Sequence, residues 1–93
     1  MNKETHIQAS DGSGSFSAYM SLPNTDKPAP AVIVIQEIFG VNAGLRSMCD
    51  RLAEQGYIAI CPDLFWRQEP GIQLTDKSEA EWKRAFELFQ GFN

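Results

Sequence analysis

Ala31-Val32-Ile33-Val34-Ile35 is an unbroken apolar run dominated by β-branched residues. β-Branching favours a strand, and the lack of polar alternation predicts one covered on both faces, as in the middle of an α/β sheet. After a short loop, Leu45, Met48, Cys49, Leu52 and Ala53 recur at helical spacing, with Arg46, Asp50, Arg51 and Glu54 on the opposite side. That pattern predicts an amphipathic helix, with Asn42 as its N-cap and Gly56 as its stop. Tyr57 to Cys61 reads as a second buried strand, ended by Pro62. Strand, helix and strand within about 30 residues form a βαβ unit with parallel strands and a right-handed crossover.

Upstream, Thr5 to Ala9 is weakly strand-like and Ser10-Asp11-Gly12-Ser13-Gly14 supplies a tight turn. Phe16, Ala18, Met20 and Leu22 then alternate with Ser17, Tyr19 and Ser21, the period of a half-buried strand, so a β-hairpin is expected. Pro23 to Pro30 holds three prolines in eight residues and must be a surface connection. Downstream, Ser78 and Glu81 stand in capping-box spacing, and Trp82, Ala85, Phe86 and Phe89 share one stripe, which predicts another core-facing helix. A βαβα pattern ordinarily continues into a further strand; here it stops at Gly91-Phe92-Asn93, and the chain is read as cut.

The 93 residues allow one small domain, which would bury about 64% of its unfolded surface. A net charge of −4 opposes a nucleic-acid partner. The polar N-terminus runs into no apolar stretch of signal-peptide length, and no aliphatic run is long enough to span a bilayer, so a cytoplasmic protein with no membrane partner is expected. Cys49 and Cys61 have no metal-ligand spacing and read as reduced, core-filling thiols. His6, the one histidine, lies in the polar leader, and neither a metal nor another cofactor is indicated.

Chemistry in an open α/β sheet sits beyond the carboxyl ends of the strands. Two segments occupy that edge, Gln36 to Gly40 and Pro62 to Arg67. Glu37 follows the buried strand directly, so partial desolvation of its carboxylate is expected; it serves either chemistry or a cap paired with an arginine. The N–H groups of Ile38 and Phe39 are placed to meet an oxyanion, unless they form an ordinary solvated turn. Asp63 suits a structural role, accepting backbone donors in the turn after Pro62. Trp66 lines a pocket or covers the core, and Trp82 packs in the core or walls a cleft. No G-x-G-x-x-G, P-loop or G-x-S-x-G occurs, and no complete catalytic set can be assembled from these residues.

The stretch Ile33 to Asn42, with Gln36-Glu37-Ile38-Phe39-Gly40-Val41-Asn42 at its centre, followed by Gln55 to Phe65, closely resembles the dienelactone hydrolase family. The similarity runs from about Ser10 to the last helix, nearly all of this chain but less than half of a family domain. It implies an α/β fold: the N-terminal portion of an α/β-hydrolase fold, a hairpin, then a βαβ unit and a further helix, three-layered (αβα) when complete. It also implies hydrolysis of an enol-lactone or related ester through a Cys-His-Asp triad lying beyond Asn93. By the same resemblance Glu37 interacts with the nucleophilic thiol, the N–H of Ile38 is one oxyanion donor, and Phe39 borders the pocket. Where dienelactone-cleaving members carry an arginine for the substrate carboxylate, this chain has Trp82, followed by Lys83 and Arg84.

The fold comparison leaves one edge of the Ala31 strand unpaired, and such an edge is a template for association. Self-association, or union with a missing C-terminal half, is therefore expected, and the isolated chain should be inactive. Two further readings remain: a half-domain that acts as a binding module through that edge, and, less supported, a nucleotide-binding βαβ module.

Overall fold

A computed structural model describes residues 2–92 and contains four strands and two helices. They are β1 (Asn2–Gln8), β2 (Ser15–Ser21), β3 (Ala31–Ile33), α1 (Ala43–Glu54), β4 (Ile58–Pro62) and α2 (Glu79–Gln90). The sheet order is β1-β2-β4-β3. β1 and β2 form the expected antiparallel hairpin, with β1 lying further upstream than Thr5 to Ala9. β4 joins the two halves, antiparallel to β2 and parallel to β3, so the expected parallel βαβ unit is present, its second strand running through Pro62.

Local chemistry explains the helix ends. Asn42 Oδ1 accepts from Leu45 N–H at the start of α1, and Ser78 Oγ accepts from Glu81 N–H at the start of α2. Gly56 follows the end of α1 with φ 98°, the left-handed region that glycine enters without a Cβ penalty.

α1 covers one face of the sheet. Val34, Val41, Leu45, Cys49, Ala59 and Cys61 form the main core, with Tyr19, Val32 and Leu52 against it. Cys49 and Cys61 are buried, unbridged and in contact, and burial pushes the Cys61 thiol up to about 11. At neutral pH it stays protonated and is a poor nucleophile.

The strand expected to be covered on both faces is shorter than Ala31 to Ile35, and its Ile33 and Ile35 are 66% and 63% exposed. The pleat sends them away from α1, in a row with Ile60 and Met20, and among the described residues no helix lies over that face. The molecule is accordingly a slab, 43 × 35 × 16 Å, with a radius of gyration of 14.1 Å against about 12 Å for a compact chain of this length.

The side chains of β2 read as its polar face also differ from expectation. Tyr19 and Ser21 lie under α1, where both hydroxyls donate to Asp50 Oδ1, at 2.8 and 2.5 Å. These bonds hold the Asp50 carboxyl below the usual carboxylate range and take it out of the solvated face to which helical spacing assigned it. Met48, expected inside, is 49% exposed.

Of the stripe predicted to face inward on α2, only Ala85 is buried, and Leu88, outside that stripe, joins it. Ala85 and Leu88 are fully buried, whereas Trp82, Phe86 and Phe89 are 39%, 47% and 57% exposed. The physical reason is what lies beneath: α2 rests on the loops after β4, where Phe65, Ile72 and Leu88 form a second cluster with Leu74 beside it.

Candidate active site

β3 ends in a turn, Glu37 to Gly40, closed by Gly40 N–H donating to Glu37 O at 3.2 Å. Three ties hold this turn against the chain after β4. Gln36 accepts from Leu64 N–H at 2.8 Å and donates to Glu37 O at 3.0 Å, coupling the two strand-end loops. Leu74 N–H donates to Phe39 O at 2.8 Å. Asn42 Nδ2 donates to Leu74 O at 2.8 Å while its oxygen caps α1, so one side chain serves both jobs.

Gly40 is where the two segments meet most closely. Its φ is +81°, and a Cβ placed there would lie 2.2 Å from the carbonyl oxygen of Ile72. Only glycine fits such an approach.

Among the described residues, no acceptor takes the N–H of Ile38 or Phe39. Two unclaimed amides in one fixed turn can stabilise negative charge developing on an oxygen. Beside them lies an apolar cleft of about 210 Å³, lined by Glu37, Ile38, Leu64, Phe65, Phe89 and Phe92 together with Gln36. Glu37 is exposed, not desolvated as expected, because the unpaired edge of β3 leaves it open to solvent.

Phe39 and Trp82 are brought together. Their rings meet edge to face at 5.1 Å, Trp82 stacks on Phe86 at 5.6 Å, and its indole N–H donates to Asp76 O. Trp82 is therefore part of an aromatic wall, not of the core. Trp66 takes the covering role, packed on Phe16 at 5.5 Å with the Arg67 guanidinium 4.3 Å above it. Asp63 is 3% exposed and accepts from Phe65 N–H and Gly71 N–H, the structural role read for it.

Sequence reasoning put Gln36 and Gly40 in the strand-end segment without a role for either, and missed the Ile72 to Leu74 segment. The only local signal was a polar amide directly after an apolar run, with a glycine four residues on. A larger cleft, about 430 Å³, has His6, Tyr19 and Arg46 in its lining and shares no residue with the first. The histidine thus lines a cleft other than the one beside the turn, and both cysteines are buried in the main core. Among the described residues no three His, Cys, Asp or Glu side chains gather as a metal site, and no helix is long and apolar enough to cross a membrane.

Comparison with known proteins places this arrangement. The family model described as "Dienelactone hydrolase family" matches residues 16–92. A protein of Azospirillum brasilense put forward as a carboxymethylenebutenolidase is 60% identical over 80 residues, covering 86% of this chain and 35% of its own length. The carboxymethylenebutenolidase of Pseudomonas putida is 44% identical over 87 residues, 94% of this chain and 36% of that protein. The chain thus spans about a third of the length of these curated relatives. Among solved structures, a Klebsiella pneumoniae protein put forward as a dienelactone hydrolase superposes with a TM-score of 0.68 at 45% identity, over 75% of this chain and 29% of that one. The sheet, its parallel βαβ unit and the turn after β3 are therefore a partial α/β-hydrolase-like fold, and the chain belongs to the dienelactone hydrolase family.

Proposed function

We propose that this chain supplies the oxyanion-binding and thiol-supporting part of a carboxylic ester or lactone hydrolase, whose Cys-His-Asp triad lies in polypeptide outside these 93 residues. The observation that carries this reading is the turn itself: pinned at Gln36, Gly40 and Asn42, it holds the Ile38 and Phe39 amides without protein acceptors beside an apolar cleft. In acyl transfer, a thiolate adds to the ester carbonyl and the carbonyl oxygen takes the negative charge. The Ile38 N–H would meet that oxygen, while the Glu37 carboxylate, at the mouth of the same cleft, would interact with the incoming thiol and favour its thiolate. Phe39 and Trp82 would border the substrate. The two cysteines of this chain do not compete for the role, since both are buried in the other cluster. Membership of the family and relatives named for hydrolase activity support the reading.

The test is turnover of an activated ester such as p-nitrophenyl acetate. The 93-residue chain alone should give none, whereas the product of a reading frame that continues into a G-x-C-x-G elbow should be active. In that product Glu37→Gln should lower kcat/KM by about 10- to 100-fold. Turnover by the short chain that Glu37→Ala strongly lowers, or an active long product indifferent to Glu37→Gln, overturns the proposal.

A second reading rests on the outer edge of β3, which pairs with nothing among the described residues while Ile33 and Ile35 are exposed beside it. Such an edge accepts a further strand. The chain would then work as an association module, and light scattering should give a mass of two or more copies; a stable, folded monomer removes this reading.

A further inference from the structure

We infer that Gln36 is a positioning residue for the oxyanion donor: its side-chain amide aims and polarises the one peptide group that carries the Ile38 N–H. The inference rests on the hydrolase reading above and adds to it a residue that acts on the reaction through another.

The Glu37 C=O and the Ile38 N–H are the two ends of a single planar, trans peptide group, so they point in opposite directions. Whatever holds the carbonyl therefore aims the amide. Glu37 O accepts twice, from Gly40 N–H at 3.2 Å and from Gln36 Nε2 at 3.0 Å. The first bond closes the turn. The second comes from a side chain whose other end is itself pinned, because Gln36 Oε1 accepts from Leu64 N–H at 2.8 Å. These two partners fix which end of the amide is which, since a reversed side chain would set donor against donor and acceptor against acceptor. A one-way relay results: Leu64 N–H donates to Gln36, Gln36 donates to Glu37 O, and the same peptide offers the Ile38 N–H, which no acceptor takes among the described residues. Hydrogen bonds in such a chain polarise one another, which leaves the last donor more positive. An amide aimed before charge develops also needs no reorganisation when it does. Phe39 lacks this support: its N–H is equally unclaimed, but the carbonyl of its own peptide, Ile38 O, accepts no backbone hydrogen bond among the described residues. Glutamine suits both jobs at this position. Asparagine is one methylene shorter, and an ionised glutamate accepts from Leu64 N–H but has no proton to give Glu37 O.

The experiment compares the product of the full reading frame that contains these residues with two variants of it, on p-nitrophenyl acetate. Gln36→Glu keeps an acceptor for Leu64 N–H and removes the donor to Glu37 O, whereas Gln36→Met removes both without adding charge. Each should lower kcat by about tenfold, short of the roughly 100-fold or more that outright loss of an oxyanion donor costs, with KM within about twofold of the parent. If Gln36 only tied the two strand-end loops together, Gln36→Glu would preserve that tie and the parent rate. If charge alone mattered, Gln36→Met would be as fast as the parent. Parent kcat in either variant, or a loss confined to KM, overturns the inference with the hydrolase reading intact. If the parent turns over no ester, the hydrolase reading fails instead, and the Ile38 amide nitrogen of the ¹⁵N-labelled proteins then decides: an upfield move in both variants supports the inference, and any other result rejects it.

Discussion

Alanine at Gly40 should cost the chain about 3–5 kcal/mol, the sum of a left-handed residue gaining a Cβ and of backbone forced apart at a packed contact. Its φ of +81° accounts for the first part. The second is larger, because the new carbon would stand 2.2 Å from the carbonyl oxygen and 2.8 Å from the carbonyl carbon of Ile72, and main chain cannot swing aside as a side chain can. Relief requires the turn to part from the segment after β4, breaking the Leu74 to Phe39 bond and opening the site. Urea denaturation measures the loss. Gly56→Ala is the control, since Gly56 also has positive φ, at +98°, but nothing lies within 4 Å of its would-be Cβ; its cost should stay near 1 kcal/mol. Equal losses at the two positions would mean that the contact with Ile72 is not what demands glycine.

Asp63→Ala should cost about 2–4 kcal/mol, because it strands two backbone donors and not one, in a buried bond at Phe65 and a part-buried bond at Gly71. Oδ1 accepts from Phe65 N–H at 3.1 Å and Oδ2 from Gly71 N–H at 2.9 Å, so the carboxylate draws the loop after β4 into a closed ring. Both ends of that ring carry the second cluster, through Phe65 and Ile72. Asp63→Asn keeps one acceptor and should lose only about half as much. If Asn and Ala variants unfold at the same urea concentration as each other, the two-oxygen account is wrong.

Much of this was legible in the sequence, and the boundary between legible and hidden is physical. Helix ends depend on atoms three residues apart, so Asn42, Ser78 and Glu81 announced their caps. The position of Glu37 and Ile38 in the loop beyond a strand followed from the apolar run that precedes them, although the strand itself stops at Ile33. By contrast, alternation along β2 separates two faces without saying which one a helix will cover, and α1 covered the side bearing Tyr19 and Ser21. α2 is apolar on two adjoining stripes, and the choice between them was made by the loop surface under it, which admits Ala85 and Leu88 and leaves the larger rings outside. The ties that shape the site join Gln36 to Leu64 and Asn42 to Leu74, separations of 28 and 32 residues. No local pattern encodes such a pairing.

The two hydrophobic clusters share no side chain, and what stitches one to the other near the turn is a handful of hydrogen bonds from Gln36, Phe39 and Asn42. Segments joined so lightly open at a lower free energy than the body they leave. α2 and the loop beyond Arg67 can therefore open before the sheet and α1 do, hinged where Trp66 on Phe16 and Arg67 on Asp11 hold the loop to the hairpin, which would carry Trp82, Phe89 and Phe92 away from the turn. The cleft then exists only for the fraction of time that the unit is seated. A molecule that touches both banks would lengthen that fraction, so occupancy of the cleft and its persistence are a single equilibrium.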